Sequence, residues 1–293
     1  MIPAASSTAY EAARHRAALI DRSDRGRLVV SGTDRASYLQ GLLTNDIAAL
    51  RSGQGCYAAY LTAQGRMIAD LWAYELGDVI LLDMNGEVKD SVLARLDQFV
   101  FSEDVQLGDV TAAFAQIAVV GPQAASRVAA AVPSLTQAVL DALPEHGNLR
   151  VDLEGTQVIV TRVVDAGEPG FDLYLERGHL ASVSDALRRL DVVELDPDAA
   201  EAIRLEAGVP RFHRDMDEET IPLEAGIESR AISLTKGCYV GQEVIIRVLH
   251  RGHGRVARRL VGLRIAGGAA PASGAVVMSG ERSVGRVTSS AFS

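Results

Sequence analysis

Apolar residues follow two different spacings along the chain, and this alternation limits the fold more than any other feature of the sequence. Residues 27–31 read as a strand, whereas residues 88–101 carry apolar side chains at the three- and four-residue intervals of a helix. Asp196 and Pro197 predict the start of another helix, and Gly208 predicts its end. Strand-like and helix-like segments alternate in this way over most of the chain, which predicts a mixed α+β fold.

The C-terminal part is expected to form a β-rich module. Between residues 244 and 287 short apolar runs are separated by glycines, a pattern typical of strands joined by turns. A small β-barrel is the expected closure for such strands. We therefore divide the chain into residues 1–110, 111–240 and 241–293, and the first two regions are free to interleave.

Length and composition exclude several classes of protein. A chain of 293 residues can bury two or three cores, and 48% apolar with 23% charged residues is the balance of a globular protein rather than a disordered one. No apolar run approaches the roughly 20 residues that span a bilayer, and the N-terminal stretch lacks the apolar core of a signal peptide. We expect a cytoplasmic protein with no membrane partner.

The charge distribution bears on the kind of ligand. A formal net charge of −9 disfavours non-specific nucleic-acid binding by the whole surface. Residues 247–259 nevertheless hold five arginines and no acidic residue. No aromatic residues are interleaved there to stack on bases, so we rank a small anionic ligand above RNA.

The two cysteines, Cys56 and Cys238, are too few for a disulfide framework or a four-cysteine metal site. Cys238 lies in the segment KGCYVGQE, between Gly237 and Gly241 and two residues after Lys236. A nearby ammonium favours the reactive thiolate, and a glycine-flanked loop offers open backbone amides to an anion. The other interpretation is a tight turn with a cysteine packed as a small apolar residue, which the spacing alone slightly favours. Cys56 is expected to be buried.

Several segments together resemble one family. KGCYVGQE, at residues 236–243, resembles the signature of the YgfZ family, a branch of the glycine-cleavage T-protein superfamily. Further similar segments are LQGLLTND at 39–46, QGR at 64–66, RLEAGVP at 204–210 and TIPLEAG at 220–226. The resemblance covers residues 20–265 and implies a three-domain, ring-like architecture around a tetrahydrofolate channel.

The resemblance also implies folate contacts. Glu168 matches the T-protein carboxylate that holds the pterin, and a carboxylate suits that role because it accepts two parallel N–H bonds. Arg204 matches an arginine that could meet the anionic glutamate tail of folate. Gly237 and Tyr239 in the signature segment complete the predicted folate contacts.

Asp70 matches one aspartate of a pair that acts near the reacting folate nitrogen of the T-protein, whereas the first member of that pair is Ala69 here. Strand alternation places Asp70 on the same face as Ile68 and Trp72. A carboxylate between apolar neighbours needs a partner or a function. The missing carboxylate at Ala69 argues against ordinary aminomethyl transfer.

Two main functions follow as hypotheses. The first is a tetrahydrofolate-binding accessory protein, without independent turnover, that maintains [4Fe–4S] clusters in client enzymes, including tRNA-modifying ones. In this hypothesis Cys238 is a redox-active thiol or a transient cluster ligand, and Lys236 tunes its reactivity. Asp70 is the third predicted catalytic residue, and no resident metal is expected. The alternative is an aminomethyltransferase-type enzyme that moves a one-carbon unit between folate and an acceptor. A folate sensor without chemistry is a third, weaker hypothesis.

Overall fold

The computed structural model describes residues 7–164, 166–252, 254–267 and 269–293, and it confirms the predicted mixed α+β fold. The strands are β1 (Ala18–Asp21), β2 (Gly26–Ser31), β3 (Gln54–Leu61), β4 (Met67–Glu75), β5 (Ile80–Met84), β6 (Gln106–Asp109), β7 (Phe114–Val120), β8 (Asn148–Leu153), β9 (Thr156–Val163), β10 (Gly170–Glu176), β11 (Val193–Glu194), β12 (Val276–Ser279) and β13 (Arg282–Arg286).

The helices lie between these strands and in the segment that follows the second sheet. They are α1 (Ser7–His15), α2 (Arg35–Leu42), α3 (Lys89–Asp97), α4 (Ala124–Ala131), α5 (Gln137–Asp141), α6 (Leu180–Arg189), α7 (Pro197–Glu206), α8 (Pro222–Ala225), α9 (Glu228–Ala231) and α10 (Gln242–His250). Short 3-10 turns precede α3 and α6. No helix among the described residues has the length and apolar character required to cross a membrane.

Sheet I is antiparallel, with the strand order β3-β4-β5-β2-β6. Its strands alternate so that one face packs into the largest hydrophobic core, together with residues from α2 and α3. The same core includes residues from the later segment that runs from Phe212 to Ile245. The chain after α7 therefore returns to cover sheet I, which brings the KGCYVGQE segment against the first third of the protein.

Sheet II has the strand order β11-β1-β7-β10-β9-β8 and is antiparallel except for the short parallel β1–β11 pair. Its core contains apolar residues from α4, α5 and α6. Strand β1 comes from the first 110 residues but pairs with β7, so the chain enters sheet II before it builds sheet I. The first 110 residues therefore contribute strands to both sheets, and this links the two sheets.

The two sheets meet through a layer that contains buried polar side chains as well as apolar ones. Asp83 of β5 accepts hydrogen bonds from Tyr174 at 2.6 Å and from the Gln116 side chain at 2.7 Å, both of which belong to sheet II. Tyr74 and Leu81 of sheet I pack around Tyr174 in the same layer. Because an unpaired polar group is costly at such a depth, these bonds fix how one sheet sits on the other.

The C-terminal prediction was wrong in part. Residues 244–250 belong to helix α10, because Val244, Ile245 and Val248 recur at helical intervals and Ile245 is fully buried. Among the described residues the rest of the module contains one two-stranded sheet, β12–β13, and no closed barrel.

The predicted start and end of α7 are confirmed. The Asp196 side chain accepts a hydrogen bond from the Ala199 backbone N–H at 2.8 Å, and Pro197 occupies the first turn. Gly208 follows the helix with a φ of +67°, a conformation that glycine adopts without steric cost.

Candidate functional site

Asp70 lies on the face of β4 that also carries Ile68 and Trp72, where it is only 8% exposed. The phenolic hydroxyl of Tyr57, on the neighbouring strand β3, donates a hydrogen bond to Asp70 Oδ2 at 2.8 Å. Burial raises the pKa of Asp70, while the Tyr57 hydrogen bond and the charge of Arg25 act in the opposite direction. Asp70 is therefore a buried carboxyl group with a raised pKa, which suits proton transfer.

Ala69 has the opposite orientation. It pairs with Tyr60 in the β3–β4 ladder and is completely buried within the main hydrophobic core. Because successive side chains of a strand point to opposite faces, a carboxylate at position 69 would enter that core rather than join Asp70. The absence of a carboxylate at 69 therefore carries no argument against chemistry at Asp70.

Two aromatic rings and two arginines form a cluster that includes Tyr57, the hydrogen-bond donor to Asp70. The rings of Tyr57 and Trp72 form a cross-strand pair with centroids 5.1 Å apart. The Arg25 guanidinium lies 4.7 Å from the centroid of Trp72, and the Arg230 guanidinium lies 5.4 Å from that of Tyr57. Arg25 also donates through Nε to Asp83 at 2.5 Å, so the site continues into the layer between the sheets. Sequence reasoning found Asp70 and placed Trp72 on the same face, but it did not find Tyr57, Arg25 or Arg230 as neighbours.

Glu168 lies in the loop before β10 and is ion-paired with Arg14 at 2.9 Å. Arg14 also pairs with Glu206, at the end of α7, and Glu206 accepts a hydrogen bond from Tyr10. Gly167 comes close to the same helix end, since a Cβ there would lie 3.1 Å from Ala207 Cβ. Glu168 thus already has a cationic partner, which a pterin would have to share.

Arg204 on α7 uses its guanidinium within the protein. It pairs with Glu201 at 2.5 Å and Asp215 at 2.7 Å, and it donates to the Val209 carbonyl. Burial acts to raise the pKa of Glu201, but the hydrogen bonds and charge of Arg204 outweigh this, so the net shift of that pKa is downward. Among the described residues no hydrogen bond, ion pair or ring contact joins Arg204 or Glu168 directly to Asp70. The folate roles of Glu168 and Arg204 stay predictions.

The Lys236 ammonium is buried against backbone carbonyl groups. It donates to the carbonyl oxygens of Gln40 and Leu43 at 2.6 Å and of Asn45 at 2.8 Å. These contacts join the two most distinctive segments of the sequence, LQGLLTND and KGCYVGQE. Burial lowers the pKa of Lys236 to about 8, with opposing contributions from Asp46 and Cys56.

The two thiols have different surroundings. Cys238 is exposed, whereas Cys56 is partly buried on β3, and burial raises the pKa of Cys56 to about 12 although the charge of Lys236 acts against this. The expected tuning of Cys238 by Lys236 has no supporting contact among the described residues, where all the hydrogen bonds of the ammonium go to carbonyl groups. That role stays a prediction.

Tyr239 and Gly237, the other predicted folate contacts, differ in accessibility. The Tyr239 ring is buried with the Lys236 ammonium 5.1 Å from its centroid, and burial raises the pKa of Tyr239 to about 12. Its hydroxyl has no hydrogen-bond partner among the described residues. A Cβ at Gly237 would meet nothing within 4 Å, so a ligand could approach there.

The arginine-rich run is less electropositive than the sequence suggests. Arg247 is ion-paired with Glu243 at 2.5 Å, and Arg258 and Arg259 lie 3.4 Å from Glu224 and Glu228. His253 of this run lies outside the described residues. Within the part of the chain that is described, no group of three or more His, Cys, Asp or Glu side chains could hold a metal ion.

Comparison with known proteins gives the wider relationship. Residues 3–236 match the family described as the GCVT N-terminal domain. The chain belongs to this family. The aminomethyltransferase of Rubrobacter xylanophilus is 33% identical over 285 residues, covering 97% of this chain and 74% of the relative. The aminomethyltransferase of Geobacillus kaustophilus is also 33% identical over 285 residues, covering 95% of this chain and 76% of the relative.

A solved structure agrees with the fold of this GCVT-domain protein. The glycine cleavage system aminomethyltransferase T from Bartonella henselae superposes with a TM-score of 0.75 at 23% identity. The match covers 83% of this chain and 66% of that protein, and at this identity it establishes the fold alone. The chain is thus a GCVT-family protein with the mixed α+β fold of that structure.

Proposed function

We propose that the protein binds tetrahydrofolate and acts as a one-carbon transferase of the aminomethyltransferase class, with Asp70 beside the reacting folate nitrogen. The observation that carries this proposal is the buried Asp70 carboxyl group, which accepts a hydrogen bond from Tyr57, whose ring in turn contacts Trp72 and Arg230. Membership of the GCVT family and similarity to aminomethyltransferases support the same class.

The residues around Asp70 fit a folate ring system. Trp72 is only partly buried and offers aromatic surface beside Tyr57, and the guanidinium groups of Arg25 and Arg230 lie over these two rings. Arg230 is half-buried at the same aromatic pair and adds a further set of N–H donors.

The chemistry needs a positioned proton acceptor and donor. Tetrahydrofolate supplies two nitrogens that take up the methylene carbon of an aminomethyl donor, while their protons leave on ammonia and on the donor thiol. Asp70 would hold one of these protons at its Oδ2 atom, and Tyr57 would orient the carboxyl group through its hydrogen bond. The low exposure of Asp70 would limit exchange of that proton with water.

The test is formation of methylene-tetrahydrofolate from tetrahydrofolate and an aminomethylated lipoyl carrier. Asp70→Asn keeps the shape of the side chain and an acceptor for Tyr57, so we expect folate binding to persist while turnover falls roughly 100-fold. Asp97→Asn, at the exposed end of α3, is the matched control and should leave turnover unchanged. No product above the protein-free reaction with wild-type protein would refute the proposal.

Maintenance of iron–sulfur clusters, and with it membership of the YgfZ branch, is the second candidate. It rests on the KGCYVGQE segment and on the exposed Cys238 thiol, which a client protein could reach. The relatives named above are aminomethyltransferases and offer no support for client iron–sulfur or tRNA-modifying enzymes. Complementation of a deletion strain with Cys238→Ser tests this role, and full complementation by a stably folded variant would exclude a need for the thiol.

A further inference from the structure

A row of paired side chains crosses sheet I on the face that carries Asp70. Tyr57 of β3 pairs with Trp72 of β4, and Trp72 pairs with Asp83 of β5. Directly paired residues of neighbouring strands leave a sheet on the same face. Asp70 lies two positions before Trp72 and therefore shares this face. The row connects the surroundings of Asp70 with Asp83, which lies in the polar layer between the two sheets.

Arg25 lies over this row. It immediately precedes β2, and its guanidinium is 4.7 Å from the centroid of the Trp72 ring. Its Nε atom donates a hydrogen bond to Asp83 Oδ1 at 2.5 Å. The Arg25 side chain is largely buried, so water screens its charge much less than that of a surface arginine.

Sheet II fixes the carboxylate that holds Arg25. While Oδ1 of Asp83 accepts a hydrogen bond from Arg25, Oδ2 accepts one from the Tyr174 hydroxyl at 2.6 Å and one from the Gln116 side chain at 2.7 Å. Asp83 is fully buried and both of its carboxylate oxygens are bonded, so the carboxylate is held in one orientation. The contact between the sheets therefore determines where the Arg25 guanidinium lies.

Groups from several elements act on the Asp70 carboxyl group: Tyr57 of β3, Arg25 before β2 and Asp83 of β5. Burial raises the pKa of Asp70, whereas the Tyr57 hydrogen bond and the charge of Arg25 lower it, and the charge of Asp83 raises it less strongly. Arg230 of α9 acts on the Tyr57 hydroxyl. Among the described residues no hydrogen bond or ion pair joins Arg25 to Asp70, so the guanidinium acts through its field rather than by contact.

We propose that Arg25 is a positioning residue for the reaction at Asp70: Asp83 holds its guanidinium over Trp72, and from there its charge keeps Asp70 ionised and ready to accept a proton. A fixed cation nearby favours the carboxylate form without occupying its oxygens. This role rests on the proposed function, which makes Asp70 the proton acceptor. If Arg25 served only to pack on Trp72 and to pair with Asp83, a neutral side chain that keeps the hydrogen bond to Asp83 would serve equally well.

The test removes the charge of Arg25 and keeps its hydrogen bond. Arg25→Gln places an amide nitrogen as many bonds from the backbone as Nε, so donation to Asp83 can persist, and Arg25→Lys keeps the charge. Arg22→Gln is the matched control, because Arg22 is largely buried and pairs with Asp172 at 3.2 Å. Thermal melts establish that each variant is folded. If Arg25→Gln unfolds, Arg25→Gln/Asp83→Asn replaces it, and the same direction of change is expected because Arg25 acts on Asp70 more strongly than Asp83 does.

The first measurement is the pH–rate profile of methylene-tetrahydrofolate formation. In Arg25→Gln the acid limb that reports Asp70 should move upward by at least about half a pH unit. Turnover should therefore fall about threefold or more below the limb and return to the wild-type rate well above it. Arg25→Lys and Arg22→Gln should keep the wild-type limb. An unmoved limb in Arg25→Gln, or a loss of rate that is equal at every pH, overturns the proposal and leaves the proposed function intact.

Direct titration separates failure of this proposal from failure of the proposed function. Carbon-13 NMR of the aspartate carboxyl carbons, with Asp70→Asn to assign the signal, follows the ionisation of Asp70 without turnover. If wild type forms no product but Asp70 titrates at higher pH in Arg25→Gln than in wild type, the action of Arg25 on Asp70 is retained and the proposed function is refuted. Identical titrations in the two proteins would overturn the action of Arg25, whatever the turnover.

Discussion

The Lys236 ammonium donates a hydrogen bond to the Leu43 carbonyl oxygen at 2.6 Å in the protein interior, across 193 positions of sequence. Two further carbonyl groups, of Gln40 and Asn45, accept the other protons of the same ammonium. A buried cation is tolerated when its donors are satisfied, and here three carbonyl dipoles do this. Lys236 therefore fastens the KGCYVGQE segment to the loop that follows α2.

Lys236→Met should accordingly destabilise the fold. The substitution keeps the apolar stem but leaves three inward carbonyl groups without this donor, so we expect the free energy of unfolding to fall by about 2–4 kcal/mol. Lys89→Met is the matched control, since Lys89 pairs with Asp90 and Asp109 near the surface and should cost less than about 1 kcal/mol. Urea unfolding of both variants measures the difference, and equal losses would contradict the fastening role.

Alkylation should distinguish the two thiols. Burial raises the pKa of Cys56 to about 12, so very little of its thiolate exists at neutral pH, and its side chain is also partly covered. Cys238 is exposed and should react first with iodoacetamide at pH 7. Peptide mapping by mass spectrometry gives the two rates. Faster labelling of Cys56 in the folded protein would contradict this prediction.

Sequence patterns predicted the local elements well because spacing and caps act over a few residues. The strand at residues 27–31, the strand that carries Asp70 and the Asp196 cap lie where they were expected. Helix α10 was mistaken for a strand because Val244, Ile245 and Ile246 have high strand propensity, whereas burial of Ile245 decides the outcome.

The site was predicted only in part, because its neighbours come from distant positions. Alternation on β4 was enough to place Asp70. Arg25 and Arg230 are separated by some two hundred residues, and no spacing rule brings them to one aromatic pair. The role of Lys236 was inferred from its closeness in sequence to Cys238. In the folded protein, however, its ammonium donates to the carbonyl groups of Gln40, Leu43 and Asn45.

Tyr57→Phe should shift the pH dependence of turnover. Burial raises the pKa of Asp70 and the Tyr57 hydrogen bond lowers it, so removal of the hydroxyl should raise that pKa further. The limb of the pH–rate profile that reports Asp70 should therefore move to higher pH. Tyr38→Phe is the control, because its buried hydroxyl bonds to the Leu96 carbonyl instead. A profile identical to wild type would remove Tyr57 from the site.

His213 should contribute a pH-dependent part of the stability. Its ring nitrogens bond to Glu87 at 2.8 Å and Glu218 at 2.9 Å, and although burial acts to lower the pKa of His213, these carboxylates raise it above 6.5. A pKa raised by folding gives a stabilisation that is complete below pH 6.5 and is lost as pH rises through the folded-state value.

The comparison is with His213→Asn, because asparagine tolerates the φ of +63° at this position. Denaturant titrations between pH 5.5 and 9 should show the stability advantage of wild type shrinking with increasing pH. A constant or growing advantage would contradict the ion-pair account.

The two glycines that flank Cys238 should respond differently to alanine. Gly241 has a φ of +85°, and a Cβ there would lie 2.5 Å from the Thr62 carbonyl oxygen, so Gly241→Ala should cost about 2 kcal/mol or more. A Cβ at Gly237 meets nothing within 4 Å, and Gly237→Ala should stay within about 0.5 kcal/mol of wild type. Thermal melts of the pair test this difference, and equal destabilisation would show that the loop around Cys238 is packed more tightly than its contacts indicate.

Since Gly237→Ala is expected to fold, its affinity for 5-formyltetrahydrofolate tests the predicted folate contact at Gly237. Weaker binding would require the ligand to approach the backbone at Gly237, and unchanged binding would remove Gly237 from the folate site.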